Sequence, residues 1–248
     1  RYLIGRAELL TYPIEAPKKK VGDKAHPYTL TEAKRIIVPE IETANRIFQE
    51  LPAKACADDL AVARLVLHPA YLAKSYFPKL LLDQVGLSSV GSRTRRIQPR
   101  RQTQKKAPPE METTELFVSG TRAAMGNFPA FARSLNEQMP VAEQFARIET
   151  FAAMTPADRL HLEGTNVGHV FEVGLHLPPE GDASDVRALF ADYAKDCGFR
   201  VNGEFEFEAG RLLFVAVEGD ATGLENLAQF TLTRVVRQGT AIASPDWG

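Results

Sequence analysis

Five histidines and two cysteines are the first side chains to consider for metal binding or nucleophilic attack in this 248-residue chain. His169 and His176 lie on one stretch of alternating polar and apolar residues, where an odd separation sends them to opposite faces of a strand, so they cannot share a metal. His161 and Glu163 form an isolated His-x-Glu in a loop, and Ser119-Gly120-Thr121 reads as the end of a strand. Cys56 and Cys197 belong to no Cys-x-x-Cys or Cys/His cluster, which argues against a disulfide framework and a structural zinc site. The chain also lacks a glycine-rich phosphate loop ending in Gly-Lys-Ser/Thr, a Gly-x-Gly-x-x-Gly and a Gly-x-Ser-x-Gly nucleophile elbow. No catalytic residue, metal or cofactor is therefore assigned, and independent enzymatic activity is not expected.

One charge cluster does point to binding. Arg93, Arg95, Arg96, Arg100, Arg101, Lys105 and Lys106 place seven positive charges between residues 93 and 106, with no acidic residue among them. Such a segment could clamp a phosphate backbone by displacing its counterions. It could also be a solvated loop facing Glu110, Glu112 and Glu115, or dock an acidic protein. No aromatic residue lies between 88 and 116 to stack on bases, which disfavours nucleic acid. The whole chain has 30 basic and 31 acidic residues and a net charge of −1, so the remainder carries −1 − 7 = −8.

The elements that would hold these residues can be read from periodicity. Tyr2 to Ile14 reads as a strand closed by Pro13. Thr29-Leu30-Thr31-Glu32 has the form of a capping box, and Ile37, Ile41, Ala44, Phe48 and Leu51 continue it as an apolar helical stripe, which Pro39 should kink or restart. Leu60 to Leu67 reads as a strand. Phe77 to Val85 reads as a helix ended by Gly86. Leu87 to Ile97 and Thr114 to Ser119 read as strands, Asn127 to Leu135 as a helix and Phe145 to Phe151 as a strand.

A second, clearer set follows. His169 to Leu177 alternates, with Phe171, Val173, Leu175 and Leu177 on one side and Glu172, Gly174 and His176 on the other. Val186 to Cys197 has helical spacing, with Gly198 as its stop. Val201, Phe205 and Phe207 then alternate with Asn202, Glu204, Glu206 and Glu208 ahead of a turn at Ala209-Gly210. Arg211 to Val217 reads as a central strand, Thr222-Gly223-Leu224-Glu225 as a capping box for a short helix, and Leu232 to Val236 as a strand.

Both sets run strand, helix, strand, strand, helix, strand. The expected class is α+β, with two tandem ferredoxin-like modules at 55–153 and 167–238. Residues 1–54 would pack a strand and helix on the first, and 239–248 would form an extended tail. The helix-free sheet face of the second module is the expected partner-docking surface, formed by Glu204, Glu206, Glu208, Leu213, Val215 and Val217. Whether 154–166 is a linker or a packed loop stays open.

Composition agrees with a folded protein: 44% of residues are hydrophobic and 25% charged, which excludes wholesale disorder and coiled coil. Arg6 and Glu8 interrupt what would be the apolar core of a signal peptide, so export is not expected, and no run approaches the ~20 apolar residues of a membrane span. A cytoplasmic protein without membrane contact is expected.

Three segments carry a family likeness: Arg1-Tyr2-Leu3-Ile4-Gly5-Arg6-Ala7-Glu8-Leu9-Leu10, the run Leu65-Val66-Leu67-His68-Pro69-Ala70-Tyr71-Leu72-Ala73-Lys74-Ser75-Tyr76-Phe77-Pro78, and Phe171-Glu172-Val173-Gly174-Leu175-His176-Leu177-Pro178-Pro179. They resemble the N-terminal region of bacterial intracellular subtilisin-like serine peptidases, some of which are encoded beside an AAA-type ATPase and linked to phage defence. The Asp-Ser/Thr-Gly, His-Gly-Thr and Gly-Thr-Ser-x-Ala/Pro blocks of the catalytic domain are absent, so no triad residue carries over. The resemblance implies a prodomain-like regulatory, chaperone and inhibitory region. The cognate catalytic domain would be its partner, and an AAA-type ATPase a further one. The alternative from the residues alone is a stand-alone module binding nucleic acid or an acidic partner through 93–106. A small-molecule sensor is a third.

Overall fold

The computed structural model describes residues 27–101, 108–162 and 168–239, so the expected strand at Tyr2 to Ile14 lies outside the described residues. The described chain is α+β, with two sheets.

Helix α1 (Leu30–Glu50) starts at the expected capping box. The Thr29 N–H donates to the Glu32 carboxylate at 2.9 Å, and the Glu32 N–H donates to the Thr29 hydroxyl at 3.2 Å. Pro39 lies inside α1, so the helix does not restart there. It sits on the exposed flank, where the Arg35 carbonyl that loses its usual N–H partner can meet water. The buried flank, Ala33, Ile37, Ile41, Ala44 and Phe48, joins the first core.

Next come β1 (Leu60–Leu67), α2 (Lys79–Val85), β2 (Ser88–Ile97), β3 (Met111–Thr121), α3 (Arg122–Ser134), α4 (Pro140–Ala146) and β4 (Ile148–Ala153). The strands pair antiparallel in the order β2-β3-β1-β4. Ala61, Ala63 and Leu65 of β1 and Leu116 and Val118 of β3 face the helices and pack with Leu81, Phe128 and Phe145. Phe145 is a correction: it belongs to α4, which Pro140 opens, rather than to the final strand. Gly86 closes α2 with a left-handed φ of +71°. A Cβ on Gly120 would lie 2.9 Å from the Gly86 carbonyl, so the strand end at Ser119-Gly120-Thr121 requires glycine there. Thr121 then caps α3.

The described part of the connection between the sheets, residues 154–162, is packed. Thr155 and Asp158 cap a single turn, α5 (Pro156–Arg159), and β5 (Leu160–His161) adds to the second sheet. That sheet continues through β6 (Val170–His176), α6 (Ala183–Asp196), β7 (Arg200–Ala209), β8 (Leu212–Glu218), α7 (Leu224–Leu227) and β9 (Thr233–Gln238), in the order β5-β9-β6-β8-β7. Among the described strands, only β5 and β9 pair in parallel. The expected capping box at Thr222 is replaced by Asp220, whose carboxylate accepts from the Thr222 N–H at 2.8 Å and caps a single turn before α7.

The two sheets share one core. Val62 and Phe117 point away from the first sheet's helices and, with Ala55 and Val90, pack into the cluster of Phe171, Phe190, Leu227 and Phe230. The Thr231 N–H donates to the Ala55 carbonyl at 2.8 Å, and its hydroxyl donates to the Leu60 carbonyl at 2.7 Å. Arg159, 2% exposed, donates to the carbonyls of Ala228 at 2.5 Å and Thr231 at 3.2 Å. Burial pulls its guanidinium down to about 10, which still leaves it charged at neutral pH. Arg159→Ala strands two buried carbonyls and is expected to lower the unfolding free energy by about 3 kcal/mol, read as a shifted urea midpoint at constant slope.

Candidate functional site

Three places can meet a partner or ligand: the basic segment, the helix-free face of the second sheet, and the cleft where the sheets meet. In the first, strand pairing sets Arg93 opposite Glu115, and Arg95 two residues further along the same face. Both guanidinium groups reach the fully buried Glu115 carboxylate, Arg95 at 2.6 Å. Further on, Arg100 pairs with Glu40 and donates to the Glu149 carbonyl at 2.5 Å, while Arg101 pairs with Glu32. Four of the predicted cations are thus engaged by carboxylates of the chain itself, and a phosphate would have to displace those carboxylates. Arg96 is exposed; Lys105 and Lys106 lie outside the described residues.

The same segment covers the free edge of the first sheet. The Phe151 N–H of β4 donates to Glu40 at 2.8 Å, and the Arg100 N–H donates to Glu149 at 2.7 Å. Side chains of α1 and the 100–101 segment therefore supply partners that a further strand would otherwise provide.

The second sheet corrects the expected docking surface. Between Asn202 and Glu206 the register with β8 shifts, placing three extra residues, Gly203 to Phe205, in β7. An odd insertion reverses every later side chain. Glu206 and Glu208 therefore stand opposite Val215 and Leu213 on the helix side, where Glu206 pairs with Arg187 of α6 at 3.1 Å. Glu204 falls within the bulge. Leu213, Val215 and Val217 are buried beneath α6 and cannot meet a partner. The helix-free face instead carries Phe207 stacked on Phe214, with ring centroids 4.8 Å apart and planes 6° apart, beside Ala216 and Gly174. Phe205, in the bulge, is 52% exposed.

In the cleft, Phe117 from the first sheet meets His176 and Arg234 from the second. The His176 ring lies 5.3 Å from the Phe117 ring, and the Arg234 guanidinium lies 3.5 Å above it. His176 is 1% exposed. The Val90 backbone lies near it, yet neither ring nitrogen completes a hydrogen bond of normal geometry. Burial first, then the charge of Arg234, drive the imidazole down to about 3, so it is neutral.

No group of three or more His, Cys, Asp or Glu that could hold a metal occurs among the described residues. His161 is exposed on β5, and Glu163 lies outside the described residues. Both thiols are free, and burial pushes each above its ordinary value, the opposite of an activated nucleophile. No helix among the described residues is long and apolar enough to cross a membrane. Comparison with family models, curated proteins and solved structures returned no match.

Two groups give separable pH dependences. His176 takes up no proton on acidification until about pH 3, whereas in the unfolded chain it does so near its ordinary 6.5. Its contribution is complete above that value and falls by about 1.4 kcal/mol per pH unit below it. Burial opposes ionisation of Asp158, but the Thr155 N–H and hydroxyl and Arg64 outweigh it and hold the carboxyl below its ordinary 3.8. That contribution is present above the unfolded value and is lost as pH falls through the folded one. His176→Phe is expected to flatten urea midpoints between about pH 6.5 and 4.5, and Asp158→Asn only those below about pH 4. An unchanged upper limb in His176→Phe contradicts a neutral buried imidazole.

Proposed function

We propose that the chain is a non-catalytic docking region: two ferredoxin-like units, the second acting as the prodomain-like chaperone and inhibitor of a cytoplasmic subtilisin-like serine endopeptidase. The observation that supports the reading is the apolar character of the helix-free face, where the half-buried Phe207 and Ala216 and the exposed Phe205 stand over the buried Phe214 and Gly174. Such a face suits a folded protein surface better than solvent. The strand order β2-β3-β1-β4, repeated as β7-β8-β6-β9, is that of a split βαβ unit and supports the assignment of both. The segments resembling the peptidase family point to the partner. By the same resemblance, residues 239–248 would enter the substrate cleft and the first unit would receive regulatory input, with an AAA-type ATPase as a candidate source.

The test is to add the chain to a separately prepared subtilisin-like catalytic domain of that family. The expected outcome is inhibition of peptide hydrolysis and faster refolding of the protease. Ala216→Arg, on the docking face and only half-buried, is expected to weaken inhibition at least tenfold, about 1.4 kcal/mol, while melting like the parent. No inhibition together with no effect on refolding overturns the reading.

A further inference from the structure

A sheet edge whose backbone groups have no partner is a place where a further strand can add. Among the described strands, the edges of the first sheet are β4 and β2. Side chains of the chain itself meet the β4 edge, Glu40 at the Phe151 N–H and Arg100 at the Glu149 carbonyl. The pairing shows which groups β2 turns outward. Phe151 directs its N–H away from β1, so its partner Leu65 directs its own groups toward β3, to Leu116. Leu116 is thereby turned away from β2, and its β2 partner Ser92 away from β3. By the alternation of an antiparallel ladder, Ser92, Thr94 and Arg96 point N–H and C=O outward, while Arg93, Arg95 and Ile97 bond to β3.

Among the described residues, no hydrogen bond meets the outward groups of Ser92, Thr94 and Arg96, and all three residues are exposed. Val90, next along the same edge, already lies against His176 of the second unit, so the open stretch begins after it. Charge supplies the second observation. β2 carries Arg93, Arg95 and Arg96 and no acidic residue. Arg93 and Arg95 share the single Glu115 carboxylate, which leaves one positive charge of that trio uncompensated. Arg96 forms no ion pair among the described residues, although Glu112 stands opposite it. The outer strand of the second sheet, β7, differs: its three-residue bulge interrupts the edge, a device that deters pairing.

We propose that the open edge of β2 receives an extended acidic peptide segment of a partner protein. The segment would add as a strand beyond β2, its backbone bonded to Ser92, Thr94 and Arg96 and its carboxylates at Arg96 and beside the half-exposed Arg93 and Arg95, which keep Glu115. Alternating N–H and C=O groups ask for the same alternation in the partner, which a peptide has and a nucleic acid lacks. A second copy joined β2 to β2 is disfavoured, because it would set arginines against arginines. The inference does not rest on the protease reading, whose docking face lies on the second sheet.

The experiment follows backbone amides of the full chain by NMR during titration with a short, end-capped peptide of alternating Glu and Val. Controls are the same peptide with Lys in place of Glu, the acidic peptide with a central Val replaced by Pro, and a single-stranded oligonucleotide. The acidic peptide is expected to shift the Thr94 and Arg96 amides saturably and to slow their hydrogen exchange, while Arg93 and Arg95, already bonded to β3, keep theirs. None of the controls is expected to do so. Arg96 is exposed, so Arg96→Glu keeps the fold and is expected to weaken the acidic peptide at least tenfold. Each of three results would overturn the proposal: no saturable shift up to about 10 mM peptide, an equal response to any control, or unchanged affinity in Arg96→Glu. The first would mean that the arginines only guard the edge against pairing.

Discussion

A four-stranded sheet that keeps its helices on one side must cover the other, and here the second sheet with its short helices does so. Phe117 lies at the centre of that contact. It is wholly buried, with Arg234 above its ring and His176 beside it, and it joins Val62 and Val90 in the second unit's core. Burying a side chain of this size contributes about 1.5–3 kcal/mol. Around it, Thr231 and Arg159 satisfy backbone groups across the junction that would otherwise be buried without partners.

The same constraint explains the concentrated charge. Further along the first sheet's helix-free face, Glu115 is buried with no exposure at all, and an isolated carboxylate there would be strongly unfavourable. Arg93 and Arg95 neutralise it from the neighbouring strand, while Arg100 and Arg101 tie the segment that follows to α1 and β4. Four of the cations that resemble a phosphate clamp in one dimension, Arg93, Arg95, Arg100 and Arg101, are in three dimensions internal counter-charges. The segment's lack of interleaved aromatics fits that role.

Much of the fold was legible because it is local. The capping box at Thr29, the turn glycines Gly86 and Gly198 with positive φ, and the order of strands and helices are all carried by near neighbours. The side on which the acidic residues of β7 stand is not legible locally, for an equally specific reason. In Phe205-Glu206-Phe207-Glu208 the polar and apolar residues alternate whichever face is chosen, so only the pairing with β8 reveals that three inserted residues reverse it. That α1 runs on through Pro39 is not legible locally, because tolerance of a helical proline depends on which flank faces water. Ion pairs such as Arg100 with Glu40 join residues far apart in sequence, which no local pattern reports. His176 was placed on the correct side of its strand, but its burial comes from Phe117 and Val90 of the other unit.

If the shared core is what holds the described chain together, the two sheets cannot melt separately. Differential scanning calorimetry of the chain tests this most directly. The account predicts a single transition whose calorimetric and van't Hoff enthalpies agree, as for one cooperative unit. Two resolved transitions, or a calorimetric enthalpy near twice the van't Hoff value, would contradict it.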